Sequence, residues 1–139
     1  MNLFLTPIGQ SKLTQSLANP NEPLVFSKMV IGDWNGDDLS PLDKNRTALV
    51  HEVYRAKLDS KKFTNNQLEV MMVVPTTTGG YTVREVGLLD DDDQLVAIGR
   101  YPNIYKTLMT ENPSIIDIYV VLALSDNTNT TVSFSNDNV

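Results

Sequence analysis

Residues 74–102 read VPTTTGGYTVREVGLLDDDDQLVAIGRYP, and this stretch predicts two β-strands joined by a short loop. Residues 81–89 and 95–101 carry the apolar and β-branched side chains typical of strands. The polar residues 90–94 between them have a length that suits a hairpin loop. Pro75 ends the preceding strand, because proline cannot donate a hydrogen bond to a sheet ladder. The sequence therefore predicts an antiparallel hairpin in the second half of the chain.

Charged residues are embedded in this and neighbouring strand-like sequence: Arg55, Arg84, Glu85 and Arg100. Strict alternation places Glu85 on the face of Val83 and Arg84 on the opposite face with Val86, so the two charges cannot pair with each other. An unpaired charge on a half-buried face is costly. We therefore expect Glu85 to pair with Arg55 or Arg100, and Arg84 to pair with Glu52 or Glu69, fixing strand register or a subunit contact. The alternative is that one face of this strand is exposed to water.

The composition limits the class of protein. The chain has 139 residues, 41% of them hydrophobic and 20% charged, which is typical of one globular domain. It contains no cysteine, which excludes disulfides, thiolate metal sites and a cysteine nucleophile. The net charge of −6 argues against a nucleic-acid partner, because such binding needs clustered Lys and Arg side chains.

Nothing in the sequence predicts insertion into a membrane. The apolar stretch at residues 115–124 is interrupted by Asp117 and is β-branched, so it predicts a core strand. Residues 1–10 lack the basic end and apolar stretch of a secretory signal. We therefore expect synthesis in a cytoplasm.

The remaining pattern predicts a mainly β domain with two helices. Thr6 and Pro7 suit an N-cap and first helical position, and Asn19 with Pro20 ends that helix. A second short helix is predicted within residues 47–54. Further strands are predicted at residues 24–31, 55–58, 67–74, 115–124 and 131–134. The predicted fold class is α+β, mainly antiparallel β and sandwich-like, with an N-terminal helix and a second short helix.

Candidate chemical sites have simpler structural explanations. Hard oxygen ligands occur together at Asp33, Asn35, Asp37 and Asp38, but the spacing fails the EF-hand pattern and favours a tight turn. The run of carboxylates at residues 90–93 is expected to be a solvated hairpin tip. His51 is the only histidine and belongs to no catalytic motif. We predict no catalytic residue, no metal site and no cofactor.

Aromatic side chains provide the candidates for an interface. Trp34 lies in a polar loop, and an exposed indole there would bury a large area against a partner at low entropic cost. Tyr101 and Tyr105 are the other two candidates. The alternative for Trp34 is that it folds back onto its own domain.

Five segments follow one another along the chain in a recognisable order. They are MVIGDWNG, TALVHEVYRA, VVPTTTGGYTVREVGLLD, LVAIGRYPNIYK and IDIYVVLALS. In these segments the chain resembles the N-terminal domain of contractile-tail phage tail fibres, the tail-collar fibre family, although that family often carries glycine where this chain has Trp34. The resemblance implies a structural, non-enzymatic domain that tethers a fibre to baseplate proteins, assembles as a homotrimer and precedes a distal part that contacts host surface glycans.

The resemblance also implies a division of the chain and a location. Residues 1–125 would form the attachment domain, and residues 126–139 would carry the last strand and a polar tail leading toward a fibre shaft. The protein would be made in the host bacterial cytoplasm and become part of the virion tail. The alternatives are a domain that binds host glycans directly, a polysaccharide-degrading enzyme, and the fibre of a phage-tail-like bacteriocin.

Overall fold

Eight β-strands and one α-helix make up most of the computed structural model, which describes residues 2–19, 21–64 and 66–123. A 3₁₀ turn at Trp34–Gly36 follows the second strand. In chain order the elements are β1 (Asn2–Leu5), α1 (Pro7–Ala18), β2 (Phe26–Gly32), β3 (Glu52–Lys57), β4 (Ser60–Thr64), β5 (Gln67–Val74), β6 (Tyr81–Asp90), β7 (Leu95–Lys106) and β8 (Ile116–Ala123).

All eight strands join one sheet in the order β3-β2-β6-β7-β1-β8-β5-β4. Neighbouring strands are antiparallel except β1 and β8, which are parallel. The sheet curves into a half-barrel. The sandwich-like arrangement predicted from the sequence is therefore not observed in the described residues, because the strands form one curved sheet instead of two stacked ones.

The main core fills the inner, concave side of this sheet. Strict alternation along β5 buries Leu68 and Met72 completely, and the same alternation along β8 buries Ile118 and Leu122. These side chains pack in one cluster with residues of β2 and β6 from the other half of the sheet, including Met29. Two distant halves of the sheet therefore share one hydrophobic core, which stabilises the curvature.

The N-terminal helix α1 begins and ends as the sequence predicts. The Thr6 hydroxyl accepts a hydrogen bond from the Gly9 N–H at 3.1 Å and donates one to the Leu95 carbonyl at 2.7 Å. The Asn19 N–H bonds the Gln15 carbonyl at the other end. A side chain at Gly9 would overlap the backbone of Val96, so glycine is what allows the helix to pack directly on β7.

Several details differ from the sequence prediction. The register of β6 and β7 shifts between Val83 and Glu85, so Val86 joins the core face of Val83. This bulge breaks the strict alternation that we expected. The predicted helix within residues 47–54 is replaced by bends in irregular backbone that lead into β3. The sequence did not predict β1 or β4, and the expected strand at 131–134, with the proposed tail at 126–139, lies outside the described residues.

Candidate functional site

The loop of residues 33–51, here called the anchored loop, connects β2 to β3 and covers the outer, convex face of β2, β6 and β7. Leu49 from this loop is buried in a second apolar cluster on that face, and Leu42 packs against the cluster. The other members of the cluster come from the strands: Val30, Leu89, Leu95 and Ile98. This half of the sheet is therefore covered on both faces.

Glu85 holds the anchored loop at both ends. The side chain is fully buried, and its carboxylate accepts hydrogen bonds from the backbone N–H groups of Trp34 at 3.0 Å, Val50 at 2.8 Å and His51 at 2.9 Å. Hydrogen bonds to an ionised acceptor are about twice as strong as neutral ones. These bonds also occupy the N–H groups of residues 50 and 51, which explains why no helix forms there.

Gly32 leaves the space that the Glu85 carboxylate occupies. A Cβ atom at this position would overlap both the Glu85 carboxylate and the backbone carbonyl of His51. Because one of these two neighbours is backbone, the overlap could not be relieved by a side-chain rotation alone. The glycine in the MVIGDWNG segment is thus required by close packing at the base of the anchored loop.

Trp34 is buried beneath Arg100. Its side chain is only 5% exposed, and the Arg100 guanidinium carbon lies 3.9 Å from the centre of the indole ring. This is the arrangement in which the indole folds back onto its own domain, so little of it remains for a partner. Trp34 has a φ of 52°, in the left-handed region that favours glycine. The cation–π contact is worth about 0.5–2 kcal/mol, which offsets a backbone cost of similar size.

Arginines fix the tip of the anchored loop. Arg100 donates to the backbone carbonyls of Asp37 at 3.1 Å and Ser40 at 2.7 Å. Arg84 donates to the Asp38 carboxylate at 2.7 Å and to the Asp33 carbonyl at 3.2 Å. The Arg84 guanidinium, together with the Asn103 amide, holds the pKa of Asp38 below its usual range.

The carboxylates that were considered as metal ligands have other hydrogen-bond partners. Asp33 accepts from the Asn35 N–H at 2.9 Å, and its carboxylate lies 2.8 Å from His51 Nδ1. Burial alone would raise the pKa of Asp33, but these two hydrogen bonds outweigh it and the pKa is lowered. Asp37 accepts from the N–H groups of residues 39 and 40. No group of three potential metal ligands occurs in the part of the chain that the structure describes.

These contacts differ from the ion pairs that the sequence predicted for Glu85 and Arg84. Glu85 bonds backbone N–H groups, as described above, and has no ion-pair partner within residues 2–19, 21–64 and 66–123. Arg84 pairs with Asp38 instead of Glu52 or Glu69. Arg55 pairs with Glu52 through two hydrogen bonds of 2.6 and 2.8 Å. The sequence prediction placed the partners of these charged side chains on other strands. Most of the partners lie instead in the loop between β2 and β3.

Three of the four carboxylates at the β6–β7 turn are exposed, as predicted, whereas Asp90 is buried. Asp90 is only 4% exposed, and it accepts hydrogen bonds from the N–H groups of Asp92 and Gln94 at 3.0 Å. Its carboxylate also forms an ion pair with Lys12 of α1. Lys28 of β2 pairs with Asp93 at 2.7 Å. Attractive contacts thus attach this turn to the helix and to β2, which the sequence pattern did not reveal.

The two tyrosine candidates occupy different environments. Tyr101 is partly buried against the main core, and burial raises the pKa of its hydroxyl although the Tyr119 N–H donates to it. Tyr105 is 50% exposed and its hydroxyl donates to the Glu111 carboxylate at 3.0 Å. Of the three aromatic candidates, Tyr105 therefore retains the largest exposed surface, and whether any of them contacts a partner stays a prediction.

The segments that carry the sequence resemblance meet at the anchored loop. Gly32 and Trp34 come from the MVIGDWNG segment, Glu85 and Arg84 from the REVGLLD segment, and Arg100 from the segment that follows. Their contacts hold a loop in one conformation, and no nucleophile with an adjacent base is found among them. These residues therefore fix the shape of the surface that the loop presents.

Comparisons with known proteins identify a family to which the chain is similar. The family profile for the phage tail-collar fibre protein, N-terminal, matches residues 1–138. A probable tail fiber protein of Escherichia phage P2 is 32% identical over 110 residues, which cover 77% of this chain and 16% of that relative. No solved structure matches the chain. None of the helices in the described residues has the length and apolar content needed to cross a membrane.

Proposed function

Because the chain belongs to the phage tail-collar fibre protein family and is a structural component of a phage tail fibre, we propose that it attaches the fibre to the tail baseplate. The observation that carries this proposal is the match of the family's N-terminal domain to residues 1–138. The chain spans 16% of the length of the phage P2 relative. A small attachment domain on a much longer fibre polypeptide is consistent with that proportion.

In this proposal the domain works passively as part of an oligomer. Three copies would form a homotrimer, made in the host bacterial cytoplasm and incorporated into the virion tail. The distal part of the fibre would contact glycans on the host surface and so support adsorption. Several linked copies bind a multivalent target with higher avidity than one copy, without any new type of contact.

The tip of the anchored loop is the surface that we propose for docking to the baseplate. Leu39 is 93% exposed there, between two residues, Asp38 and Ser40, that the strands hold in place. The backbone of a rigid loop loses little conformational freedom when a partner covers it. An apolar residue fixed in this way can act as a central anchor of an interface.

A competition experiment tests this docking surface. The purified domain should compete with intact fibres for attachment to tails that lack fibres, and Leu39→Asp should weaken the competition by tenfold or more. Met109→Asp is the matched control, because Met109 is also exposed, at 55%, but lies in the loop between β7 and β8. Equal competition by the wild-type and Leu39→Asp domains would show that the loop tip is not the docking surface. Absence of competition by the wild-type domain would reject the proposed attachment to the baseplate.

Direct binding of glycans gains less support from the structure. Stacking against a sugar needs an open aromatic face, whereas Trp34 is 5% exposed and Arg100 covers one face of its ring. A glycan-binding screen of the domain, with Trp34→Ala as the comparison, would reveal such an activity if it were present.

A further inference from the structure

The outer face of β5 and β8 differs from the outer face of the other half of the sheet. Alternation places Met71 and Val73 of β5 and Tyr119 and Val121 of β8 on this face, opposite to the core residues. Tyr119 is 47% exposed and lies directly across from Met71 in the ladder. We call these four residues the open face.

The sequence of β5 and β8 is that of strands covered on both sides. Both are nearly continuous apolar runs, QLEVMMVV and IDIYVVLA, a pattern typical of strands buried on both faces. In the other half of the sheet the anchored loop supplies the outer cover. The anchored loop extends as far as Phe4 of β1, where the Lys44 ammonium lies 3.9 Å from the centre of the Phe4 ring. Within the described residues, no element covers the open face.

One basic and two acidic side chains border the open face. Lys62 of β4 lies on the same face, opposite Glu69 of β5, while Asp117 of β8 lies opposite Val73. Neither Lys62 nor Asp117 forms an ion pair with another described residue. The Tyr119 hydroxyl bonds Glu69, which raises the pKa of that hydroxyl. Lys62 and Glu69 therefore lie together toward the β4 edge, and Asp117 lies apart from them on β8.

We propose that the open face is the surface through which copies of this chain pack around a threefold axis. In a ring of copies each interface joins two different patches, so Lys62 of one copy can meet Asp117 of the next. The chain as a whole carries a net charge of −6, and a contact between Lys62 and Asp117 of adjacent copies would offset part of the repulsion between them. The inference rests on the proposed function as a trimeric fibre domain and adds the surface that forms the trimer.

The path of the chain favours a second copy as the occupant of the open face. β8 ends at Ala123, which is on the outer side of the strand, and the polypeptide continues from there to Val139. Packing the β8 strands of three copies around one axis would bring the three continuing chains side by side. A trimeric fibre requires that arrangement, whereas packing through the opposite half of the sheet would separate them.

Light scattering of the 139-residue chain over a range of concentrations tests the interface. The wild type should approach three times 15.5 kDa, and Tyr119→Lys should raise the dissociation constant at least tenfold. At concentrations low enough for both proteins to be monomeric, the melting temperature should be unchanged, since Tyr119 is exposed in a single copy. Met109→Lys, which introduces the same charge on another exposed apolar residue, should leave the mass unchanged. Lys62→Glu and Asp117→Lys should each weaken assembly, and the double variant should restore it.

Two results would contradict the proposed interface. The wild type could remain a monomer at every concentration, or it could form an oligomer whose mass Tyr119→Lys does not change. A lower melting temperature of Tyr119→Lys with an unchanged mass would show that the chain's own residues cover the face. A loss of tail binding with an unchanged trimer would assign the face to a tail protein. A domain that trimerises but does not bind tails would reject the proposed attachment and leave this interface in place.

Discussion

A single buried carboxylate determines the path of the loop between β2 and β3. Glu85 bonds the N–H groups at the beginning and the end of the anchored loop, and Gly32 provides the room for it. Trp34 and Arg100 then cover the site from outside. The buried charge is tolerated because backbone donors surround it, although no cation is paired with it in the described residues.

Substitution of this carboxylate should destabilise the domain strongly. Glu85→Gln places an amide N–H₂ group against backbone donors and removes the charge, so we expect a loss of about 2–4 kcal/mol in the free energy of unfolding. Glu52→Gln is the matched control, because Glu52 forms an exposed ion pair with Arg55 and should change stability by less than about 1 kcal/mol. Urea denaturation measures both, and similar stabilities for the two variants would contradict the role assigned to Glu85.

At the scale of elements, the anchored loop serves as a cover for half of the sheet. It contributes Leu49 to an apolar cluster on the outer face, and side chains of β6 and β7 hold its tip. The loop therefore has the contacts of a packed element although it lacks regular secondary structure. Loops held in this way open less readily than loops with few buried contacts.

Carboxylates of the anchored loop should make the domain less stable at acidic pH. The pKa values of Asp33, Asp37 and Asp38 are all lowered in the folded state. The unfolded chain then takes up protons at higher pH than the folded chain, so the stabilisation is complete above about pH 4 and is lost as the pH falls through the lowered values.

Denaturation at pH 7, 5, 4 and 3 measures this effect. Asp38→Asn should be less stable than the wild type at pH 7, and the difference should shrink at pH 3. Asp38 of the unfolded wild type is then largely protonated, so much of the stability that its lowered pKa contributes is lost, whereas the variant has no such group. Asp43→Asn is the control, since Asp43 forms no ion pair within the described residues. A difference that is the same at every pH would show that the ion pair is not responsible.

Much of the fold could be predicted from local sequence patterns. The contacts that hold the anchored loop could not. Alternation and proline placement predicted β5 to the residue, and the cap at Thr6 predicted the start of α1. The bulge near Val83 was missed because a register shift depends on the partner strand. Trp34 was considered as an exposed anchor, since nothing local in the sequence shows that Arg100 covers it. The partners of Glu85 were missed because they are backbone groups, which leave no signal in side-chain identity.

At the scale of the whole molecule, one curved sheet connects the core to the anchored loop. β6 contributes Val83, Val86 and Leu88 to the main core and presents Glu85 and Arg84 to the loop. The same strand therefore supports both sides of the sheet. Disruption of either side should be transmitted to the other through β6, so we expect the domain to unfold as one cooperative unit.

Two optical probes can test this cooperativity. Trp34 is the only tryptophan, so intrinsic tryptophan fluorescence reports on the anchored loop alone, whereas far-ultraviolet circular dichroism reports on the sheet. The two signals should give the same midpoint in urea. A fluorescence transition at lower urea concentration would mean that the loop detaches before the sheet unfolds. The Met109→Asp domain should show the same coincidence as the wild type.

The central position of β1 constrains how the chain can fold during synthesis. Of the strands described, β1 leaves the ribosome first, yet its two neighbours are β7 and β8, which leave last. The sheet cannot be completed until residues near Leu122 have emerged. Contacts between such distant parts of a chain make folding slow, and until they form the edges of β7 and β8 are open to other chains. Nascent copies on neighbouring ribosomes would therefore meet before each has closed its own sheet.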